Sequence, residues 1–354
     1  MQKPKKIRLK LEDKSIYEGF SFGYEKSVAG EVVFNTAMTG YPESLTDPSY
    51  YGQLLISTYP LIGNYGVPKN KNTNGMPEIF ESSKIQVRGF IISDYSFEYS
   101  HWNAKKSLSE WLIENKVPGI FGLDTRALTK KLREKGSMLG EVIVDNEIDL
   151  EDPNKINLVE KVSTKEKVVY GNGKKKILLV DLGVKNNIIR CLLKRDTTVI
   201  KVPWDYNFVT EDYDGLVLSN GPGDPTFCEI TVNNIKKILT RNKPIFGICM
   251  GNQLLSLAAD CKIYKLKYGH RSHNQPVIEA GTNKCYVTSQ NHGYAVDDTN
   301  LNKDWETYFT NLNDGTCEGI RHKEKPFFST QFHPEASSGP TDTEFLFDKF
   351  LDYI

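Results

Sequence analysis

Beyond residue 170 the apolar positions fall into short runs that switch between two periods. Residues 177–180, 198–202, 215–218 and 244–248 are compact apolar segments and read as strands. Residues 186–193, 230–239 and 250–259 repeat apolar positions every three or four residues and read as helices. Strands alternating with helices across short turns predict an α/β fold, an open and mostly parallel sheet with helices on both faces. From Tyr286 onward the texture changes to β segments with turn signals such as Asn313-Asp314-Gly315, including the apolar run 326–330. These predict an antiparallel extension of the sheet.

The first half is less regular. Residues 6–11, 31–35 and 54–58 read as strands and 104–114 and 126–135 as helices, a smaller α+β domain. Between the halves the chain is polar and charged and closes with Gly171-Asn172-Gly173. The predicted organisation is an N-terminal domain over 1–145, a linker over 146–175 and a second domain over 176–354.

Charge narrows the function classes. Up to Tyr170 there are 23 residues of each sign, and 22 of each beyond, so neither half carries an excess that would steer nucleic acid or an anionic membrane. The polar start has no apolar signal-peptide core, and no run reaches transmembrane length. The six cysteines form no C-x-x-C pair, which argues against a zinc ribbon or a secreted disulfide framework and predicts a reducing cytoplasm. Every cysteine, and every histidine except His101, lies after residue 170, so thiol or imidazole chemistry belongs to the second half.

The sharpest local feature is Gly247-Ile248-Cys249-Met250-Gly251, a nucleophile flanked by glycines where a predicted strand turns into a helix. Such a turn presents the sulfur at the carboxyl edge of the sheet, beside a helix N-terminus that favours the reactive thiolate. An isolated cysteine is more often a buried structural residue, but the paired glycines reverse that reading. Gln331-Phe332-His333-Pro334-Glu335 ends another strand. His333 and Glu335 share one face of extended backbone, and Pro334 stiffens the relation, so a carboxylate can orient an imidazole. Alone, H-x-E is a weak signal. Beside an exposed cysteine it completes a Cys249–His333–Glu335 triad.

Two further segments read as substrate cradles. Ser219-Asn220-Gly221-Pro222-Gly223-Asp224-Pro225 lets backbone N–H groups approach a ligand, although an ordinary turn reads the same way. Gln290-Asn291-His292-Gly293-Tyr294, taken alone, reads as a polar turn. There is no phosphate-binding G-x-x-x-x-G-K-[ST] and no H-E-x-x-H. Gly269-His270-Arg271-Ser272-His273 hints at metal but has no acidic or thiol neighbour in sequence, so neither metal nor ATP is expected on this chain.

NGPGDP, GICMGNQLL, NHGYAV and QFHPEA, in this order, resemble a class I glutamine amidotransferase domain over about residues 174–354. Thr39 to Tyr50 (TGYPESLTDPSY), Leu61 to Gly66 (LIGNYG) and Gly122 to Thr129 (GLDTRALT) are similar to the N-terminal domain of carbamoyl-phosphate synthetase small subunits. The resemblance implies Cys249 as nucleophile, His333 as general base and Glu335 as its partner. It implies glutamine contacts from Ser49, Gly221, Gly223, Met250, Gln253, Asn291, Gly293 and Tyr294, with Ser49 supplied by the N-terminal domain. It also implies a heterodimer with a large synthetase subunit holding ATP, Mg²⁺ and bicarbonate, and a place in arginine and pyrimidine synthesis. Asn252 stands where a histidine is common, Met250 for a frequent leucine and Tyr294 for a frequent phenylalanine. A silent scaffolding subunit and a thiol peptidase remain as rival readings; the intact triad opposes the first and the cradle motifs the second.

Overall fold

A computed structural model describes residues 4–354 of the chain, which divide into two compact units, one ending at Lys155 and the other running from Ile156 to Ile354.

The N-terminal unit is built on a closed barrel. Around it run Lys6–Leu11, Met138–Ile143, Val28–Asn35, Gln53–Ser57, Gly89–Ile91, Gly119–Phe121 and Ile16–Ser21, the last pairing back to the first. Closure leaves no unpaired sheet edge. In Lys6–Leu11 alternate residues are buried, as a strand with one face on a core requires. Phe22, Val33, Leu55, Phe90 and Ile92 belong to one buried cluster, which Leu108, Trp111 and Leu112 of helix Leu108–Glu114 join. Residues 104–114 were expected to be one helix. Instead Ala104–Lys106 is a short strand, and Ser107 starts the helix with a reciprocal capping box to Glu110.

The second unit carries a ten-stranded sheet. Five strands run parallel in the order Thr197–Pro203, Lys175–Asp181, Gly215–Leu218, Ile245–Ile248, Phe327–Thr330. Ile177, Leu178, Leu179 and Val180 are all fully buried, because a parallel strand in an open α/β sheet is covered on both faces. Helices Glu229–Ile238 and Met250–Ala258 join the core with Leu178, Val180, Leu216 and Leu218. The closing helix Phe345–Asp352 sets Phe347 and Phe350 against Phe246, ring centroids 5.6 and 6.0 Å apart.

Beyond Phe327–Thr330 the sheet continues antiparallel through Cys317–His322, Cys285–Asp297, Lys262–Glu279 and Trp305–Asn311. The expected extension is present and begins earlier, at Lys262. Within the expected linker, 146–175, Val168–Tyr170 pairs antiparallel with Thr197–Pro203 as the sheet's edge strand, and Val159 enters the core of the second unit.

Candidate active site

Only Cys249 separates strand Ile245–Ile248 from helix Met250–Ala258. Its backbone sits at φ 54°, ψ −101°, a region that costs a non-glycine residue about 1–3 kcal/mol. Neighbouring backbone holds it there. Its N–H donates to the Thr330 carbonyl at 2.7 Å, and the Gly251 N–H donates to the Ser219 carbonyl at 2.9 Å. A Cβ on Gly251 would lie 2.1 Å from the Leu218 carbonyl oxygen, and one on Gly247 would lie 2.6 Å from that of Gly251. Gly251 is thus required by the close approach of the turn to strand Gly215–Leu218, and Gly247 by the fold of the turn back on itself.

The sequence predicts an exposed sulfur, but Cys249 is buried, 2% accessible, because the turn packs between neighbouring strand ends. It is not sealed in an apolar interior, however. Sγ lies 3.8 Å from the Asn291 carbonyl, within hydrogen-bonding range of sulfur, and the His333 ring is its other polar neighbour.

Parallel pairing sets Thr330 opposite Ile248, so the chain that follows arrives beside the nucleophile turn. The His333 N–H donates to the Ser289 carbonyl at 2.9 Å. His333 Nδ1 lies 2.6 Å from Glu335 Oε1. Nε2 makes no formed hydrogen bond, yet Cys249 is close enough to raise the ring's proton affinity, an approach short of a completed bond. Burial alone would depress the His333 pKa. The Glu335 carboxylate overcomes burial and the nearby Lys185 charge, and the pKa is raised. Glu335 is held below the carboxylate range because Lys185 and His333 outweigh its burial. Imidazolium beside carboxylate is therefore the stable state at neutral pH.

Lys185 is the member that sequence reasoning missed. Its Nζ lies 3.1 Å from Glu335 Oε1, the two side chains being 5% and 0% exposed, and it also donates to the Ala336 carbonyl. Asn220 Oδ1 accepts from the Lys185 N–H at 3.0 Å, and the Asn187 side-chain amide donates to the Glu335 carbonyl. The available signal was positional: Lys185 follows the carboxyl end of Lys175–Asp181, the edge where such sheets bind ligands.

The two cradles meet. Tyr294 Oη donates to Asp224 Oδ2 at 3.3 Å, and Gln253 Nε2 donates to the Tyr294 carbonyl at 3.2 Å. The segment Gln290–Tyr294 is no turn; it lies inside strand Cys285–Asp297. Gly221 is packed so that a Cβ would lie 2.1 Å from the Leu182 carbonyl oxygen, and Gly223 has φ +83°. Met250 is the first residue of its helix, where backbone N–H groups lack intrahelical acceptors. Beside Gly293 the nearest atom to an added Cβ is Nη2 of the buried Arg271. Asn252 lies in a buried network, donating to Gln331 Oε1 at 2.9 Å and accepting from Ser329 Oγ at 2.7 Å. These bonds tie helix Met250–Ala258 to the strand that leads to His333. Ser49 belongs to the N-terminal unit, buried in the turn Pro48–Tyr50, where its N–H donates to Asp47 Oδ1 at 2.9 Å.

Comparison with known proteins adds a second line of findings. Residues 178–353 match the family model for glutamine amidotransferase class-I, and residues 9–142 match that for the carbamoyl-phosphate synthase small chain, CPSase domain. The carbamoyl phosphate synthase arginine-specific small chain of Candida albicans is 50% identical over 364 residues, 98% of this chain and 84% of that one. Multifunctional protein CAD of Squalus acanthias is 52% identical over 350 residues, 97% of this chain and 16% of that protein. The chain thus spans only about a sixth of the multifunctional relatives it matches. A solved glutamine amidotransferase from Thermotoga maritima aligns with TM-score 0.38 at 21% identity, covering 46% of this chain and 77% of that one.

Proposed function

The chain belongs to the carbamoyl-phosphate synthase small-chain family, and on that premise we propose that it hydrolyses glutamine at Cys249 and delivers ammonia to a synthetase subunit. The reading rests on one observation: a cysteine at a strained strand-to-helix turn beside an imidazole whose far nitrogen is held by a buried carboxylate.

The Cys249 thiolate attacks the side-chain carbonyl carbon of glutamine, forming a C–S bond and placing negative charge on the carbonyl oxygen. Backbone N–H groups near Gly223 and Met250 stabilise that oxyanion, at about 3 kcal/mol per donor. The His333 imidazolium gives its proton to the amide nitrogen, the C–N bond breaks, and ammonia leaves a glutamyl thioester. Water, deprotonated by the now neutral His333, attacks the thioester; glutamate departs and Cys249 is restored.

Ammonia released into water would protonate and lose its nucleophilicity, so a protected route to the consuming site makes chemical sense. That site would lie on a large subunit carrying ATP, Mg²⁺ and bicarbonate, in a cytoplasmic heterodimer serving arginine or pyrimidine synthesis. No helix among the described residues is long and apolar enough to cross a membrane. The likeness of residues 39–50 to the small-chain motif supports a glutamine contact from Ser49, and Ser49→Ala tests that through the KM for glutamine.

The deciding experiment uses the chain co-purified with its synthetase subunit. Cys249→Ala should abolish carbamoyl phosphate formation from glutamine and leave formation from ammonia intact. Undiminished glutamine hydrolysis in that variant would overturn the thioester route.

A further inference from the structure

A second buried polar cluster adjoins the cradle, built from the hairpin Lys262–Glu279/Cys285–Asp297 and strand Cys317–His322. His270, His292 and Glu318 each turn one potential ligand atom toward the others, all within 4.8 Å. His270 and His292 are register partners, their rings edge to face at 4.9 Å. The acidic partners that His270 lacks in sequence arrive through the fold, from residues 314 and 318.

The outer nitrogens are already taken. His270 Nε2 meets Asp314 Oδ2 at 2.8 Å, and His292 Nδ1 meets the Tyr294 carbonyl at 2.8 Å. Both oxygens only accept, so both nitrogens carry protons, and in the neutral rings His270 Nδ1 and His292 Nε2 are left as lone-pair donors facing Glu318. They lie 3.3 and 3.9 Å from Glu318 Oε1, and Gln290 Oε1 adds a further acceptor 3.3 Å from His292 Nε2. Among the described residues one side-chain amide donor serves this group, that of Asn311, 3.0 Å from Glu318 Oε1 and 3.4 Å from His270 Nδ1. Glu318 is fully buried, and its Oε2 has no partner among the described residues. Acceptors converging in a space closed to water call for a cation.

We propose that His270 Nδ1, His292 Nε2 and the Glu318 carboxylate form a divalent-metal site with a donor set suited to Zn²⁺. Two imidazoles and one carboxylate are a zinc donor set, with room for a fourth ligand. The outer contacts match the usual support of metal-bound histidines, an N–H held by a carboxylate or a backbone carbonyl. Tetrahedral ligation needs donor atoms roughly 3.3 Å apart, which follows from metal–ligand bonds near 2.0–2.1 Å, so the present spacing closes by small side-chain movements. Because His292 stands between Asn291 and Gly293, a bound metal would pin the cradle strand from behind.

The test uses the full chain carrying Cys249→Ala, since the thiol and imidazole of the active site would themselves take up zinc. After chelator treatment the protein is dialysed against Zn²⁺ at pH 8 with bound metal measured by mass spectrometry, and in parallel loaded with Co²⁺. The expected result is one equivalent of zinc and the visible absorption of four-coordinate cobalt. Glu318→Gln should abolish uptake. Asp314→Asn, which keeps an oxygen to accept from the Thr316 N–H and hydroxyl but removes the carboxylate from His270 Nε2, should weaken binding about 10- to 100-fold, read against the variant's own metal-free melting temperature. If Glu318→Gln fails to fold, Asp314→Asn carries the test. Absence of zinc uptake by the Cys249→Ala chain, which would assign the cluster to a shared proton, overturns the proposal. So does uptake unchanged by Asp314→Asn.

Discussion

Replacing Lys185 by methionine keeps most of the side chain's volume and leaves the Glu335 carboxylate buried with His333 as its one charged partner. At 3.1 Å and an effective dielectric of about 20, the gross Lys185–Glu335 attraction is about 5 kcal/mol. Part of that is offset by desolvation of the ammonium, which methionine avoids. Breaking a buried pair by removing one partner typically costs about 3–5 kcal/mol. Retention of His333 places this case near the lower end. A loss of about 3 kcal/mol should lower the melting temperature by about 6–12 °C for a unit of this size. The pH dependence has a definite sign. The folded pKa of Glu335 is depressed, so its stabilisation is present above the ordinary value of 4.5 and is lost as pH falls through the folded one. The variant's deficit should therefore be widest near neutrality and narrow below pH 4.5. The double variant Lys185→Met/Glu335→Gln removes the orphaned charge and should melt above Lys185→Met alone, though without activity. Thermal and urea unfolding of the wild type, both single variants and the double variant at neutral and acid pH provide the cycle. Strict additivity, or a deficit unchanged by acid, would refute the reasoning.

Glu335→Gln removes the largest influence that raises the His333 pKa, leaving Cys249 alone to oppose the depressing effects of burial and Lys185. The imidazolium form, now stable as pH rises through the ordinary 6.5, would be lost below that value. Glutamine hydrolysis should fall about 10²- to 10⁴-fold and its remaining optimum should move to lower pH; an unshifted pH profile would count against the orienting role. Gly251→Ala puts a Cβ 2.1 Å from the Leu218 carbonyl and should prevent soluble expression, whereas Gly315→Ala, at φ +76° with nothing within 4 Å, should lose only about 1 kcal/mol in urea unfolding. Asn252→Leu strips a buried donor and acceptor from Gln331 and Ser329 and should cost about 1–3 kcal/mol by the same assay.

The parts of this fold that could be read from sequence are those whose physical cause is local. Ile177 to Val180 are buried on both faces, so their strand is a plain apolar run, and the helix predicted over 186–193 lies at Asn186–Leu193. The nucleophile turn was legible for a similar reason, since a close backbone approach leaves glycines as its mark. Lys262–Glu279 escaped because one side of the hairpin arm is solvated and its alternation is broken by register shifts at Lys265–His270 and Ser272–Gln275. Val168–Tyr170 reads as linker because an edge strand of three residues, none of them buried, has too little apolar surface to announce itself. The site divides along the same line. His333 and Glu335 are two residues apart, so the sequence pairs them, although the segment is a turn closed by the Ala336 N–H on the His333 carbonyl and not the extended backbone that the spacing predicts. Lys185 lies 150 residues from Glu335, and Glu318 lies 48 from His270, so no local period relates either pair. What the first pair does have is a location, the carboxyl edge of the parallel sheet, where strand ends from distant parts of the chain must converge. A buried lysine there needs a counter-charge, and a neighbouring strand end delivers it in Glu335. The topology therefore carries the information that spacing lacks, and charged residues just past the ends of buried parallel strands are the ones to weigh first when such a sequence is read.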